Sequence, residues 1–264
     1  MVDTLFTPSP LGPLTLRNRS IRSAAFEGMC PGGVPSASLV RYHRAVAAGG
    51  IGMSTVAYVA VTKGGRTFAH QAWMDPARIP DFRKVTDAVH AEGAAASVQL
   101  GHAGNMSDRK VSGERAVAPS ARFNLFGLTR PRRLTDAEIE GLVEAHVRAV
   151  GVAREAGFDA VELHAGHGYL ISQFLSPHTN RRADRWGGSL EGRARLMRTV
   201  VRAIKRAAGP RMAVLVKTNL EDGFRGGMGL GEGLQVARML EEDGADALIL
   251  SGGFVSVTPF YMLR

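Results

Sequence analysis

Apolar and polar positions along the chain alternate between two periods. Apolar, β-rich runs at residues 20–25, 52–61, 94–100, 160–164, 212–218 and 247–251 read as strands. Between them, helical patterns cover residues 36–48, 81–92, 136–156, 190–208 and 232–243. The third helix has a capping box, Thr135 with Glu138, and shows Ile139, Leu142, Val143, Val147 and Val150 on one face. The fourth starts after Ser189, carries Met197, Val200, Val201 and Ile204 on one side, and ends before Gly209-Pro210.

Strands alternating with helices imply a parallel sheet with crossover helices, either doubly wound or closed as an eight-stranded barrel. The doubly wound fold announces a nucleotide site by a glycine-rich turn after its first strand, and Ala25-Phe26-Glu27-Gly28-Met29 is no such turn. Polar and histidine-rich segments follow several different strands instead, as in barrel active sites. The expected fold is therefore an α/β TIM barrel in one domain spanning residues 1–264. Only about six of its eight strands are visible before Tyr261-Met262-Leu263-Arg264, so the expectation includes a C-terminally incomplete barrel.

Composition narrows the compartment and the partners. No run of eighteen apolar residues occurs, and the first residues lack a basic stretch followed by an apolar one, so neither a membrane span nor secretion is expected. A lone cysteine, Cys30, can form no internal disulfide and cannot hold a cluster by itself, which suits a reducing cytoplasm. The formal charge of +9 raises the question of nucleic acid. Yet 28 of the 33 basic residues are Arg, dispersed through helices and loops without a lysine-rich tail, so no nucleic-acid partner is expected.

The densest chemistry is Glu162-Leu163-His164-Ala165-Gly166-His167-Gly168-Tyr169, where the fourth strand ends. Two imidazoles three residues apart and a nearby phenol can converge as the chain leaves a barrel strand. Imidazole N–H groups can hold a developing oxyanion, and a phenol can deliver a proton. The blander alternative is a pair of structural histidines, and a third is a metal site completed by His102. Glu162, two residues before His164, either shares its face or is drawn into the loop. Gln99 on the third strand can read a heterocycle edge or be a satisfied core residue. Lys217, amid Ala213-Val214-Leu215-Val216, needs an anion at the barrel mouth to offset its burial.

These residues resemble the Old Yellow Enzyme family of FMN-dependent NAD(P)H:flavin oxidoreductases and ene-reductases. The resemblance runs from Pro10 through Arg19, the Gln99 to Gly104 segment, and Ala156 through Leu170. It continues through Gln173-Phe174-Leu175-Ser176-Pro177, Asn180, Arg182, Asp184, Gly187-Gly188-Ser189 and Arg193 to Ser251-Gly252-Gly253, essentially the whole chain. It implies FMN at the carboxyl-end mouth of an eight-stranded barrel, NAD(P)H as reductant and an α,β-unsaturated carbonyl as hydride acceptor. His164 and His167 resemble the substrate-binding pair that holds the carbonyl oxygen, and Tyr169 the catalytic proton donor. Ser23, Ala24, Tyr58, Gln99 and Lys217 resemble the cofactor-binding residues, with Lys217 where many members place an arginine beside flavin N1 and O2.

The sequence departs from the family in places. Ala24 stands where many relatives have proline, and Glu191-Gly192-Arg193 replaces Glu-Asn-Arg, which is expected to loosen the start of the fourth helix. Asn219 and Ser251-Gly252-Gly253 look closer to the dienoyl-CoA-reductase-like branch. The family's phosphate-binding loops follow its seventh and eighth strands, so the alternative to a working enzyme is an inactive barrel fragment that does not retain FMN. A metal-dependent lyase or hydrolase using His102, His164 and His167 is a third reading, but no metal is expected. Arg130, Arg132 and Arg133 either grip a nucleotide phosphate or form a solvated basic loop. The choice of NADH or NADPH, the physiological acceptor and a homo-oligomeric state stay open.

Overall fold

The computed structural model describes residues 2–259, so Tyr261-Met262-Leu263-Arg264 lie outside the described residues. Six strands form one parallel sheet: β1 (Ile21–Arg22), β2 (Met53–Ala60), β3 (Ala95–Gly101), β4 (Ala160–Ala165), β5 (Ala213–Asn219) and β6 (Ala247–Ser251). They lie side by side in chain order, each parallel to the next. This is the partial barrel expected from the alternation of strands and helices.

Helices α1 (Ala37–Ala48), α2 (Ile79–Ala91), α3 (Asp136–Glu155), α4 (Leu170–Leu175), α5 (Leu190–Ala208) and α6 (Leu230–Glu242) connect the strands. The Thr135–Glu138 capping box is formed: Glu138 N–H donates to Thr135 Oγ1, and the Glu138 carboxylate accepts the Thr135 N–H at 2.9 Å. No described helix is long and apolar enough to cross a membrane.

Strand alternation sorts the buried side chains into two sets. Val56, Val98, Val161, Leu163, Val214 and Val216 join the core shared with the helices. Met53, Ala160, Ala213 and Leu215 form a separate cluster on the other face with Leu16. An N-terminal hairpin, Ser9–Leu11 paired antiparallel with Leu14–Leu16, adds Leu11 and Leu14 to this second cluster. Its turn needs glycine, because Gly12 has φ +54° and a Cβ there would lie 2.5 Å from the Asp246 carboxyl carbon. Sequence pattern alone missed this hairpin, whose strands are only three residues each.

Two expectations are corrected. The first strand, expected over 20–25, pairs only at Ile21 and Arg22. Beyond them the backbone is held by side chains instead: the Arg22 guanidinium donates to Ala25 O, and Lys217 Nζ donates to Ser23 Oγ and Ala24 O. Gly192 does not loosen α5. A Cβ at that position would lie 2.1 Å from Gly187 O, so the missing side chain lets the helix start pack on the preceding turn. Ser189 caps that start by accepting the Gly192 N–H at 3.3 Å.

Candidate active site

Register brings the polar residues of three strands to one place. Gln99 pairs with Glu162 and His164 with Lys217, while Glu162 and His164 are two apart on β4. All four therefore project from the same face as Ala160, Ala213 and Leu215, with Gln99 and Glu162 level with Leu215 and with His164 and Lys217 one layer nearer the carboxyl ends of the strands. Each is at most 4% exposed. Tyr58 reaches the same end through an irregularity in β2, where the register shifts between Val56 and Val59. The Ala57 amide inside that shift donates to the Glu27 carboxylate, so it is not orphaned.

Gln99 Nε2 donates to Glu162 Oε1 at 2.6 Å, and Lys217 Nζ lies 3.5 Å from the same oxygen. Lys217 also donates to Ser23 Oγ and Ala24 O, each at 3.0 Å. The anion that a mid-strand lysine requires is thus partly supplied by the chain itself. Burial pushes the Glu162 carboxyl up, while the nearby Lys217 charge and the Gln99 amide pull it back.

Four rings meet above this network. The His164 ring centroid lies 5.2 Å from that of His167, 4.8 Å from Tyr169 and 5.7 Å from Tyr58, and Tyr58 is 5.1 Å from Tyr169. Convergence depends on the turn after β4, where His167 takes φ +61° and Gly168 φ +78°. A positive φ is unfavourable for histidine, and the surroundings hold it. Asn219 Oδ1 accepts the His167 N–H at 3.0 Å, and Asn219 Nδ2 donates to Gly253 O at 2.7 Å. Gly168 must lack a side chain, because a Cβ there would come within 2.5 Å of the Phe254 ring.

Protonation follows from burial. Desolvation, with Lys217 adding to it, lowers His167 to about 4, and burial beside His167 and Lys217 keeps His164 well below the usual histidine range. Both rings are neutral at pH 7. The Gly166 N–H points at His164 Nδ1 from 3.5 Å, an orientation that suits the tautomer with its proton on Nε2. His167 Nε2 is 2.5 Å from Ser251 Oγ. Burial raises the Tyr169 phenol to about 12, so it keeps its proton.

Glu162, Asn219 and Ser251 emerge as site residues that sequence reasoning had not given these positions. Asp222 belongs with them: it is buried and accepts from Ser176 Oγ at 2.6 Å, the Met228 N–H at 2.7 Å and Asn219 Nδ2 at 3.3 Å. A carboxylate two residues before His164 on a strand was the available signal for Glu162. His102 is occupied otherwise, its Nδ1 accepting the Gly104 N–H at 3.0 Å. Among the described residues no three His, Cys, Asp or Glu side chains gather to hold a metal. Arg132 and Arg133 pair with Glu138 at 2.5 Å and Asp184 at 2.7 Å, whereas Arg130 of that trio meets no carboxylate among the described residues.

The sequence profile of the NADH:flavin oxidoreductase / NADH oxidase family matches residues 4–257. The chain belongs to this family. It is 44% identical over 262 residues to a 4,4'-dithiodibutanoate disulfide reductase of Rhodococcus erythropolis, covering 99% of this chain and 65% of the relative. It therefore spans just under two thirds of that curated relative's length. Its fold matches a 2-naphthoyl-CoA reductase in complex with 2-naphthoyl-CoA (TM-score 0.91, 28% identity, 96% of this chain and 41% of the other). It also matches morphinone reductase in complex with tetrahydroNAD (TM-score 0.86, 30% identity, 94% and 73%).

FMN is the cofactor this family membership implies. The donor set fits it. A carboxamide and an ammonium stand together at the mouth with the Ser23 hydroxyl, matching the acceptor-rich edge of a pyrimidinedione. Gly101 keeps the neighbouring wall open, since a Cβ there would lie 3.1 Å from His164 Cβ and 3.2 Å from the Tyr58 ring.

Proposed function

We propose that this chain forms, as a single domain, the cofactor and substrate site of an FMN-dependent oxidoreductase. It passes hydride from NAD(P)H to the C=C bond of an α,β-unsaturated carbonyl compound. The observation that carries the reading is the wall of neutral His164, neutral His167 and protonated Tyr169 above the Gln99 and Lys217 edge. FMN, when bound, supplies the hydride relay between reductant and acceptor. Gln99, Lys217, Ser23, Ala24 and Tyr58 hold its ring system, and the Lys217 ammonium offsets negative charge that collects at that edge.

The protein's own part is polarisation and proton delivery. His164 Nε2–H and an N–H of His167 donate to the carbonyl oxygen and withdraw charge from the conjugated double bond. Neutral rings suit this task, because an imidazolium would need a charge in a buried site. Tyr169 gives its proton to the α carbon. A second acceptor class, an organic disulfide, is favoured by the 44% identity to the dithiodibutanoate reductase, and the same donors would protonate the departing thiolate. A reducing cytoplasm suits the lone Cys30, whose buried thiol is raised to about 12.

The test begins with the visible absorption spectrum of the chain after incubation with FMN and desalting. A retained flavin spectrum, with NAD(P)H-dependent reduction of 2-cyclohexenone, supports the reading. 4,4'-Dithiodibutanoate is the second acceptor to assay. Turnover that persists unchanged in a His164→Ala/His167→Ala variant removes the assigned roles. A chain that never retains FMN is the inactive alternative.

A further inference from the structure

Between β3 and α3 the chain leaves the sheet over residues 104–134 and encloses a groove of about 720 Å³. Arg109, Lys110, Arg115 and Arg130 line it, together with Asp108 and Leu128. No carboxylate pairs with any of these four cations among the described residues. Arg115 Nε donates to Arg130 O, Arg130 lies over the Phe123 ring, and one Asp108 oxygen already accepts the Lys110 N–H. The neighbouring Arg132 and Arg133 are, by contrast, each neutralised. Leu128, 76% exposed, and Phe126, 54% exposed, put apolar surface beside the charges.

Hydrogen bonds join this groove to the ring wall. Thr129 Oγ1 donates to Asn105 O at 2.5 Å, Gln173 Nε2 donates to Asn105 Oδ1 at 2.9 Å, and Gln173 N–H donates to Tyr169 O at 2.7 Å. Through buried Asn105 and Gln173 the groove wall is braced against the segment that carries Tyr169, and the groove offers a ligand unneutralised cations beside exposed apolar side chains. The chemistry that meets both is a planar base attached to a phosphorylated ribose.

We propose that this groove binds the phosphorylated adenosine end of a ligand whose other end reacts at Tyr169. The inference rests on the function proposed above. Two molecules of that chemistry would use it: NADPH, with a 2′-phosphate, and an acyl-CoA thioester, with a 3′-phosphate. Arg109 and Lys110 supply exposed donors to the ribose phosphate, and Arg130, lying over Phe123, another.

The test is calorimetric titration of the 264-residue chain with 2′,5′-ADP, 3′,5′-ADP and 5′-AMP. At least one bisphosphate is expected to bind about tenfold tighter than 5′-AMP, and to weaken with added salt. Arg109→Gln/Lys110→Gln should lose about that tenfold, whereas Arg132→Gln, whose arginine is paired with Glu138, should not. Preference for 2′,5′-ADP assigns the groove to the reductant, preference for 3′,5′-ADP to a thioester substrate, and equal binding to both. Bisphosphates that bind no better than 5′-AMP, or that bind the double variant undiminished, overturn the proposal. FMN retention after desalting, read on the same samples, reports separately on the function it rests on.

Discussion

The Glu162 carboxylate stands between Gln99 and Lys217, 2.6 Å from one and 3.5 Å from the other, and all three side chains are buried. It fixes the direction of the Gln99 amide and balances a lysine charge inside the barrel. Removing one partner of a buried pair strands the other charge. Glu162→Ala is expected to lower the unfolding free energy by about 3 kcal/mol or more. Glu162→Gln keeps an acceptor and should lose less. Urea denaturation measures both, and equal losses would show that the lost charge alone sets the cost and that the acceptor to Gln99 contributes nothing.

Buried neutral histidines make the fold acid-sensitive. Burial lowers His102 to about 3, and His146 and His167 to about 4. Well above pH 6.5 these rings are neutral in both folded and unfolded chains. As pH falls through 6.5 towards 4 the unfolded chain takes up protons that the folded chain refuses, so stability declines. The slope is up to about 1.4 kcal/mol per pH unit for each group. His146, whose buried Nε2 has no partner, is the cleanest probe. Stability curves between pH 4.5 and 7 should be shallower for His146→Leu by about one proton's worth, and parallel curves would refute this.

Helix propensity and packing disagree at position 192. Alanine is a better helix former than glycine by about 1 kcal/mol. A Cβ there would nonetheless overlap Gly187 O. Gly192→Ala is expected to destabilise by about 1–3 kcal/mol. A raised melting temperature would mean that the turn at 187 yields easily.

His167 is held from two sides, by Asn219 at its backbone and Ser251 at its ring. Ser251→Ala removes about 1 kcal/mol of orientation, roughly a fivefold effect. It should fall on KM for the enone more than on kcat, because the ring binds before it polarises. A kcat-only loss would place Ser251 in the chemistry instead.

Tyr169 is proposed to act only on the acceptor. Tyr169→Phe should slow the acceptor half-reaction by about a hundredfold and leave the NAD(P)H half-reaction nearly unchanged. Stopped-flow measurement of each half separates them. Equal losses would contradict the assignment.

The alternation of apolar runs and helical faces was enough to place five of the six strands and all five long connecting helices to within a few residues. Buried parallel strands and amphipathic helices write their periods directly into the chain. The first strand was read too long because Ser23 and Ala24 are held by Lys217, about two hundred residues away in sequence, and not by a neighbouring strand. The hairpin at residues 9–16 was missed because three-residue strands have too little periodicity to detect.

The same division runs through the site. Spacing alone drew attention to His164, His167, Tyr169, Gln99 and Lys217, since polar groups at the ends of apolar strands are conspicuous in sequence. It left the function of Glu162 open, because face or loop is decided by register with β3 and β5. It could not assign Asn219 to the His167 amide, or separate Arg132 and Arg133, which pair with carboxylates, from Arg130, which meets none among the described residues. Local period and residue type determined the elements and the chemical inventory. Which inventory items meet, which charges are neutralised and which glycines are obligatory depend on contacts between distant segments, and only the folded packing decides those.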